Sequence, residues 1–497
     1  MISARRAGVT MLYVHAFLAA MAGLALRLLF VFRFPASAGD SGMYQQLARN
    51  WVDHHVYGLG LYRSLVPVDI RMPGYPAFLA GVAIILGRSL RAISLSQVLL
   101  DLCTCFLTAA LAAGLAPIRA RRRAWIAGCW LAVTCPFVAN YAAVVLPETL
   151  ATFLATAALA CFVLGLRQNN FEHGFRGKDG SPTSFAYALL GAFLTGMATL
   201  VRPEMPLLLV APALIYAIRW WRLLKFRKLA LLGAACLGVF LLPLAPWAVR
   251  NFVTLHEAQI LSPRNATLPS EYAPVGYYAW TRTWLEHYRD IYLSVWKIGE
   301  ERVQLDDLPS TAFDSPGEKA RVAALFNQYN ASPDLDISPE LDQKFAEIAT
   351  ERTRRHPLRT YVWVPFQRAL TIWFTPRTEL LPVDGKLWPL AAQWSDSPAD
   401  VLTTAGFAVL GYLYVALALG GIWVAWRSRI GKAGGSANAP DGPNLWGVSL
   451  LLVYLVVRTA FLTTVEAPEP RYVVSCYPAV LALAALLFAG MRQRKSV

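Results

Sequence analysis

Hydrophobic positions in this chain run together instead of alternating with polar ones, and many of the runs reach the roughly 20 residues that a helix needs to cross a bilayer. Such runs fall near 11–32, 92–114, 124–142, 146–166, 185–201, 204–219, 228–249, 401–426, 445–464 and 472–490, with two more of ambiguous length at 76–90 and 361–376. The pattern predicts an all-α polytopic membrane protein with a transmembrane bundle of about 10–13 helices. The first run resembles a signal peptide, since Arg5-Arg6 precede it and Ala36-Ser37-Ala38 follows. It is too long for that role and contains Arg27, so it is expected to stay as the first helix.

Two polar stretches interrupt the apolar runs: residues 33–75, and a longer one from about 250 to 400. In the first, Tyr44, Leu47, Ala48 and Trp51 share one helical face, with Gln45, Gln46, Arg49 and Asn50 on the other. This spacing predicts a short helix lying along the membrane surface. The second stretch mixes Pro263, Pro269, Pro274, Pro309, Pro316, Pro333 and Pro339 with helical patterns near 277–303, 318–330 and 338–356, the mark of a compact, partly helical loop domain. The expected organisation is an N-terminal transmembrane module (1–249) carrying the first outer loop (33–75), an extracytoplasmic loop domain (250–400), and C-terminal transmembrane helices (401–497). Gly431 to Asn444 reads as a flexible cytoplasmic loop.

Composition agrees: 56% of the 497 residues are hydrophobic and 15% charged. The net charge of +15 does not point to nucleic acid, because the basic residues sit between apolar runs, at Arg5-Arg6, Arg119 with Arg121 to Arg123, Arg219 to Lys228, Arg427 to Lys432 and Arg492 to Lys495. If the N-terminus is inside and the segments at 76–90 and 361–376 do not fully cross, all these clusters and both termini are cytoplasmic and both polar stretches lie outside. The seven cysteines all lie in apolar runs, are odd in number and include no C-x-x-C, so they form neither a disulfide framework nor a metal site. Asp53-His54-His55 is a poor metal candidate, because adjacent histidines diverge on a helix. The sequons at Asn265 and Asn330 carry meaning only in a eukaryotic cell. A Walker A loop, G-x-G-x-x-G after a strand, G-x-S-x-G and H-E-x-x-H are all missing, which argues against nucleotide-driven work.

The chemistry gathers at one face. Asp40, in G-D-S-G-M-Y (39–44), lies just past the first membrane helix, and Arg71 follows in R-M-P-G-Y-P (71–76). Pro147-Glu148, Arg202-Pro203-Glu204, Trp247 to Asn251 and Glu469-Pro470-Arg471-Tyr472 also place charge at helix ends on the outer side. Arginines held there suit the phosphate of a lipid arriving sideways from the bilayer. The competing structural readings are headgroup anchoring for the arginines, helix-end roles for Glu148 and Glu204, and a simple N-cap for Asp40.

D-S-x-M-Y with L-A-R-N, R-M-P-G-Y-P-A-F-L-A, L-V-R-P-E, P-W-A-V-R-N and P-E-P-R-Y-V-V-S-C-Y-P, in that order from Gly39 to Pro478, resemble the GT-C glycosyltransferases of family 39, the group of protein O-mannosyltransferases and the lipid A aminoarabinose transferase. The resemblance implies a GT-C-type bundle that moves a hexosyl or pentosyl unit from a polyprenyl-phosphate donor to a hydroxyl of a glycan, lipid or protein, outside the membrane and with inversion. It implies Asp40 as general base, Arg202, Arg250 and Arg471 at the donor phosphate, and Tyr44, Arg71, Tyr75, Glu148, Glu204 and Tyr472 lining the substrate site. Relatives often carry a second acid beside the first-loop carboxylate, whereas Ser41 follows Asp40 here. That departure argues against a metal bridged by two carboxylates, so no cofactor is expected, a divalent cation being the alternative left open. The loop after Asn251 lacks the look of eukaryotic relatives, which favours a bacterial inner-membrane enzyme facing the periplasm. Other classes compatible with the pattern are a flippase for lipid-linked sugars and a membrane scaffold presenting residues 250–400.

Overall fold

The computed structural model describes residues 2–36, 38–61, 63–167, 183–221, 226–263, 265, 267–268, 271–430 and 442–490. The basic cluster at 492–495 and most of the loop at 431–444 lie outside them.

Eight helices among the described residues are long and apolar enough to cross a membrane: Thr10–Arg33, Leu90–Leu115, Glu148–Arg167, Ser184–Val201, Phe226–Leu255, Pro398–Ser428, Leu445–Leu462 and Pro470–Gly490. Ile118–Val133 and Pro136–Ala143 meet at 53° and together are apolar enough for a ninth, broken span or a re-entrant loop; the pair is called the broken span below. Two apolar helices are shorter, Gly74–Ile85 and Met205–Trp220. The second was expected as a crossing at 204–219. Pro206 and Pro212 limit what it can form: its first turn, Met205–Leu209, is a 3₁₀ helix, and regular α-helix covers only Val210–Trp220.

The chain divides into two compact units. The first comprises Met1–Pro263, Arg377–Val457 and Val474–Val497. Its first two-thirds runs α1 (Ile2–Arg33), α2 (Gly39–His54), a hairpin of β1 (Gly58–Leu61) and β2 (Ser64–Pro67), α3 (Gly74–Ile85), α4 (Leu90–Leu115), α5 (Arg121–Val133), α6 (Pro136–Ala139), α7 (Glu148–Arg167), α8 (Ser184–Val201), α9 (Val210–Trp220), α10 (Phe226–Leu241) and α11 (Ala245–Leu255). The hairpin, with Gly58 opposite Pro67 and Leu61 opposite Ser64, is a strand element that the helical periodicities did not predict. Gly58 permits it, since a Cβ there would lie 2.4 Å from the Val66 carbonyl oxygen.

The broken span explains the charged residue in the first helix. A break frees backbone carbonyls that lipid cannot satisfy. Arg27, fully buried, donates through Nη1 to the Val133 oxygen at 2.7 Å and through Nη2 to the Ala132 oxygen at 3.5 Å. Its charge is balanced by Asp101 of α4, 2.7 Å from Nε. Beyond the break, Gln97 Nε2 donates to the carbonyls of Ala142 (3.2 Å) and Val144 (2.8 Å). Phe30, Val31, Val98, Ala139, Ala142 and Ala143 pack around this joint.

The second unit comprises Arg264–Pro376 and Arg458–Val473. Its core is aromatic, with Tyr277, Trp280, Trp284, Phe326, Tyr329 and Phe345 in one buried cluster. Serine and proline start two of its helices: Ser315 caps Pro316–Ala331 and Ser338 caps Pro339–Arg355. The helical pattern expected over 277–303 divides here into Val275–Thr281 and a second helical turn from Arg289 to Trp296. Buried Arg352 pairs with Glu318 and Asp314. Arg368 ties the 458–473 segment into this unit by donating to the carbonyls of Leu285, Thr463 and Val465.

Candidate active site

Asp40 lies in the first turn of α2, two positions past the cap. The N-cap is Ala38, and Ser41 reaches back so that its Oγ accepts from the Ala38 N–H at 3.2 Å. The Asp40 carboxylate is therefore not used for capping; its Oδ1 accepts from Arg71 Nη2 at 2.9 Å, and the two side chains keep 30% and 21% of their exposure. Arg71 is brought there by the turn before α3. Tyr57 donates to its carbonyl oxygen at 2.9 Å, and Gly74 lets the turn touch the end of α8, where a Cβ would meet the Leu200 oxygen at 2.6 Å.

Helix α8 stops at Val201 because Pro203 disfavours helical backbone at Arg202, which is extended (φ −141°, ψ 126°). The Arg202 guanidinium then bridges two carboxylates, Glu148 Oε1 at 2.7 Å and Glu204 Oε1 at 2.8 Å. Glu148 opens α7, where the positive end of the helix dipole suits an acid.

Tyr44 stands between these two charge groups. It is one turn along α2 from Asp40, packs edge-on against Tyr75 with ring centroids 5.2 Å apart, and lies in the field of Asp40, Arg71, Arg202 and Glu148. Burial pushes its hydroxyl up to about 12, with Arg71 opposing and Asp40 adding to the shift. Tyr75 is wholly buried and donates to Gln97 Oε1 at 2.8 Å, which connects the site to the broken span below.

Arg250 is engaged with the backbone of the first loop. It donates to the carbonyls of Val68 (2.9 Å) and Tyr57 (2.7 Å) and to Asn251 Oδ1 (3.0 Å), and its guanidinium lies 5.1 Å from the Trp247 ring and 5.5 Å from the Tyr57 ring. Of the sequence-expected residues, Asp40, Tyr44, Arg71, Tyr75, Glu148, Arg202, Glu204 and Arg250 all belong to the first unit. Arg471 and Tyr472 belong to the second, where both engage Glu469, Arg471 through Nε at 2.6 Å and Tyr472 through its hydroxyl at 2.9 Å. Asp53 is held by Arg88. Among the described residues no group of three or more His, Cys, Asp or Glu is arranged to hold a metal ion.

No family model and no curated protein matches the chain. Solved structures do. The chain is similar to the oligosaccharyltransferase of Archaeoglobus fulgidus, in a complex with zinc and sulfate, at 14% identity and a TM-score of 0.47 over 95% of this chain and 48% of that one. The same enzyme tethered to an acceptor peptide gives 14% and 0.48, over 96% and 49%. It is also similar to ArnT from Cupriavidus metallidurans, bound to undecaprenyl phosphate, at 15% and 0.38 over 95% and 77%. This chain thus spans about half the length of the archaeal enzyme.

Sequence reasoning missed a further polar group in the first unit. Tyr141 donates to Glu379 Oε1 at 2.9 Å and lies in the field of Glu148 and Glu379. Buried Arg377 donates through Nε to the Tyr477 hydroxyl at 3.0 Å and lies 4.9 Å from that ring. The signal was present in Arg377-Thr-Glu379, charge just past the apolar stretch 361–376, the same sign that marked Arg202 and Glu204.

Proposed function

We propose that this protein is a GT-C-type membrane glycosyltransferase that moves a sugar from a polyprenyl-phosphate donor to an acceptor hydroxyl, with inversion, at the outer face of a bacterial inner membrane. The observation that carries the reading is Asp40: a carboxylate at the start of a helix just past a membrane span, partly exposed, positioned by Arg71 and not used for capping. Its role is general base. An acceptor hydroxyl is a weak nucleophile, and a placed carboxylate that takes its proton during attack accelerates the step by about 10²–10⁴-fold. The departing lipid phosphate needs positive charge and hydrogen-bond donors more than a proton, and the arginines of the cluster are the groups of that kind. The motif order from Gly39 to Pro478 supports the same assignment, with sugar and acceptor left to the shape of the site.

The test is a transfer assay with purified protein, a panel of radiolabelled polyprenyl-phosphate sugars and envelope extract, following release of free polyprenyl phosphate. Acceptor-dependent release that falls by about 10²–10⁴-fold in Asp40→Asn is the expected result. Full activity in Asp40→Asn removes Asp40 as base, and binding of donors without release in the wild type overturns the transferase reading.

A further inference from the structure

The cations that line this site are already engaged: Arg71 by Asp40, Arg202 by Glu148 and Glu204, and Arg250 by loop carbonyls. The tyrosines divide differently. The hydroxyls of Tyr57, Tyr75 and Tyr141 each donate to a protein oxygen, respectively the Arg71 carbonyl, Gln97 Oε1 and Glu379 Oε1. Tyr44 alone of the four makes no hydrogen bond within the described residues, although the residue is buried, at 7% exposure, and its ring is fixed edge-on against Tyr75. Its hydroxyl is not one of the sealed, unpartnered polar atoms of the structure, so the small exposure that Tyr44 retains includes the oxygen.

A fixed ring with an unused hydroxyl, set between an Asp–Arg pair and a Glu–Arg–Glu bridge, is a preorganised hydrogen-bond donor. With its hydroxyl pushed up to about 12 by burial, it keeps its proton throughout the neutral range and donates without acting as a base. Four residues along a helix rise about 6 Å, comparable to a sugar ring, so Asp40 and Tyr44 can address opposite sides of one anomeric carbon, as inversion requires.

We infer that the Tyr44 hydroxyl donates a hydrogen bond to the phosphate group of the lipid-linked donor and stabilises the charge that grows there as the sugar leaves. In the step, the acceptor oxygen forms a bond to the anomeric carbon and its proton passes to Asp40. The bond from that carbon to the phosphate oxygen breaks, its electron pair stays on the phosphate, and Tyr44 donates to the anion without giving up its proton. The inference rests on the transferase reading and adds to it the group that receives the leaving phosphate.

The experiment compares wild type with Tyr44→Phe, which removes only an oxygen that bonds no protein atom, so the thermal midpoint should be unchanged. Single-turnover release of polyprenyl phosphate is measured with the natural-type donor and with a donor fluorinated next to the phosphate, whose leaving group is less basic. We expect the rate to fall by about 10²–10³-fold with the first donor, the cost typical of losing one oxyanion donor, and the defect to shrink with the second. Equal rates for both proteins overturn the inference. A defect of the same size with both donors also overturns it, placing the hydroxyl on the sugar or the acceptor instead. A wild type that releases nothing from any donor sinks the transferase reading itself, an outcome distinct from the other two.

Discussion

Replacing Asp101 by alanine tests the polar joint beneath the site most directly. Arg27 and Asp101 keep 0% and 2% of their side-chain exposure, and the guanidinium also donates to the carbonyls of Gly23, Ala132 and Val133 and to Cys105 Sγ. The carbonyls solvate the cation but supply no counter-charge, so Asp101→Ala leaves a buried positive charge uncompensated, a defect of about 3–5 kcal/mol. Arg27→Met strands a buried carboxylate and also removes the donor to the Val133 carbonyl, an unpaired group costing about 1–3 kcal/mol, while the Ala132 carbonyl keeps the Cys135 N–H at 3.3 Å. The double variant, Arg27→Met with Asp101→Leu, retains only the carbonyl defect, so its cost should fall several kcal/mol short of the sum of the singles. Reversible unfolding of the four proteins in mixed detergent–lipid micelles supplies the cycle. Additive costs, or an Asp101→Ala defect below about 1 kcal/mol, would refute the idea that this pair holds the broken span together.

Gly74→Ala should destabilise the first unit by about 1–3 kcal/mol, the usual cost of overpacking, because its Cβ would lie 2.6 Å from the Leu200 oxygen. It should also depress transfer by moving Arg71 away from Asp40, and normal stability with normal activity would contradict that placement. The Asp69 carboxyl is raised above the ordinary carboxylate range, first by burial and then by the charge of Glu257. A folded-state value above the unfolded one means that the stability tied to this group is fully present below the ordinary value and is lost as pH rises through the raised one. Asp69→Asn should therefore flatten the pH dependence of the thermal midpoint from about pH 4 upward, and profiles that run parallel would contradict the sign.

Eight of the ten expected spans were legible, most to within a few residues, because a bilayer imposes a length that shows in any run of apolar side chains; the runs at 124–142 and 204–219 met a break and a proline-limited short helix instead. Asp40 was legible for a related reason: a charge next to such a run stands out. Its local role was not, since the choice between a cap and a carboxylate paired with Arg71 turned on Ser41 reaching back to Ala38, which composition does not decide. The Arg27–Asp101 pair joins positions 74 apart, and only the fold brings them together, although two ionisable residues in separate apolar runs were a usable sign. The hairpin at 58–67 was hidden because Gly58 and Gly60 dilute strand propensity while permitting close approach of the backbone. Arg377 and Glu379 were passed over because the polar stretch around them read as part of the loop domain, whereas both fold with the first unit.

Burial separates the two polar systems of the first unit more sharply than residue type does. Both are built from arginine and carboxylate, but opening a sealed pair such as Arg27–Asp101 costs several kcal/mol, whereas an exposed pair is worth about 0–1 kcal/mol. The sealed system therefore fixes backbone, and in the outer one the half-buried Asp40–Arg71 pair is better placed to exchange partners than the buried Glu148–Arg202 bridge. Among its pairs Asp40–Arg71 is the more exposed, at 30% and 21%, against 3% for Glu148 and 15% for Arg202. Asp40, Asp69, Glu148 and Glu204 face Arg71, Arg202 and Arg250, so these residues carry no surplus positive charge, and on the transferase reading an incoming phosphate finds attraction by exchange. Exchange costs least at Arg71. On the transferase reading, an acceptor hydroxyl that engages Asp40 loosens its pair with Arg71, so acceptor binding and activation of the base become one event, with the donor phosphate held across the anomeric carbon at Tyr44.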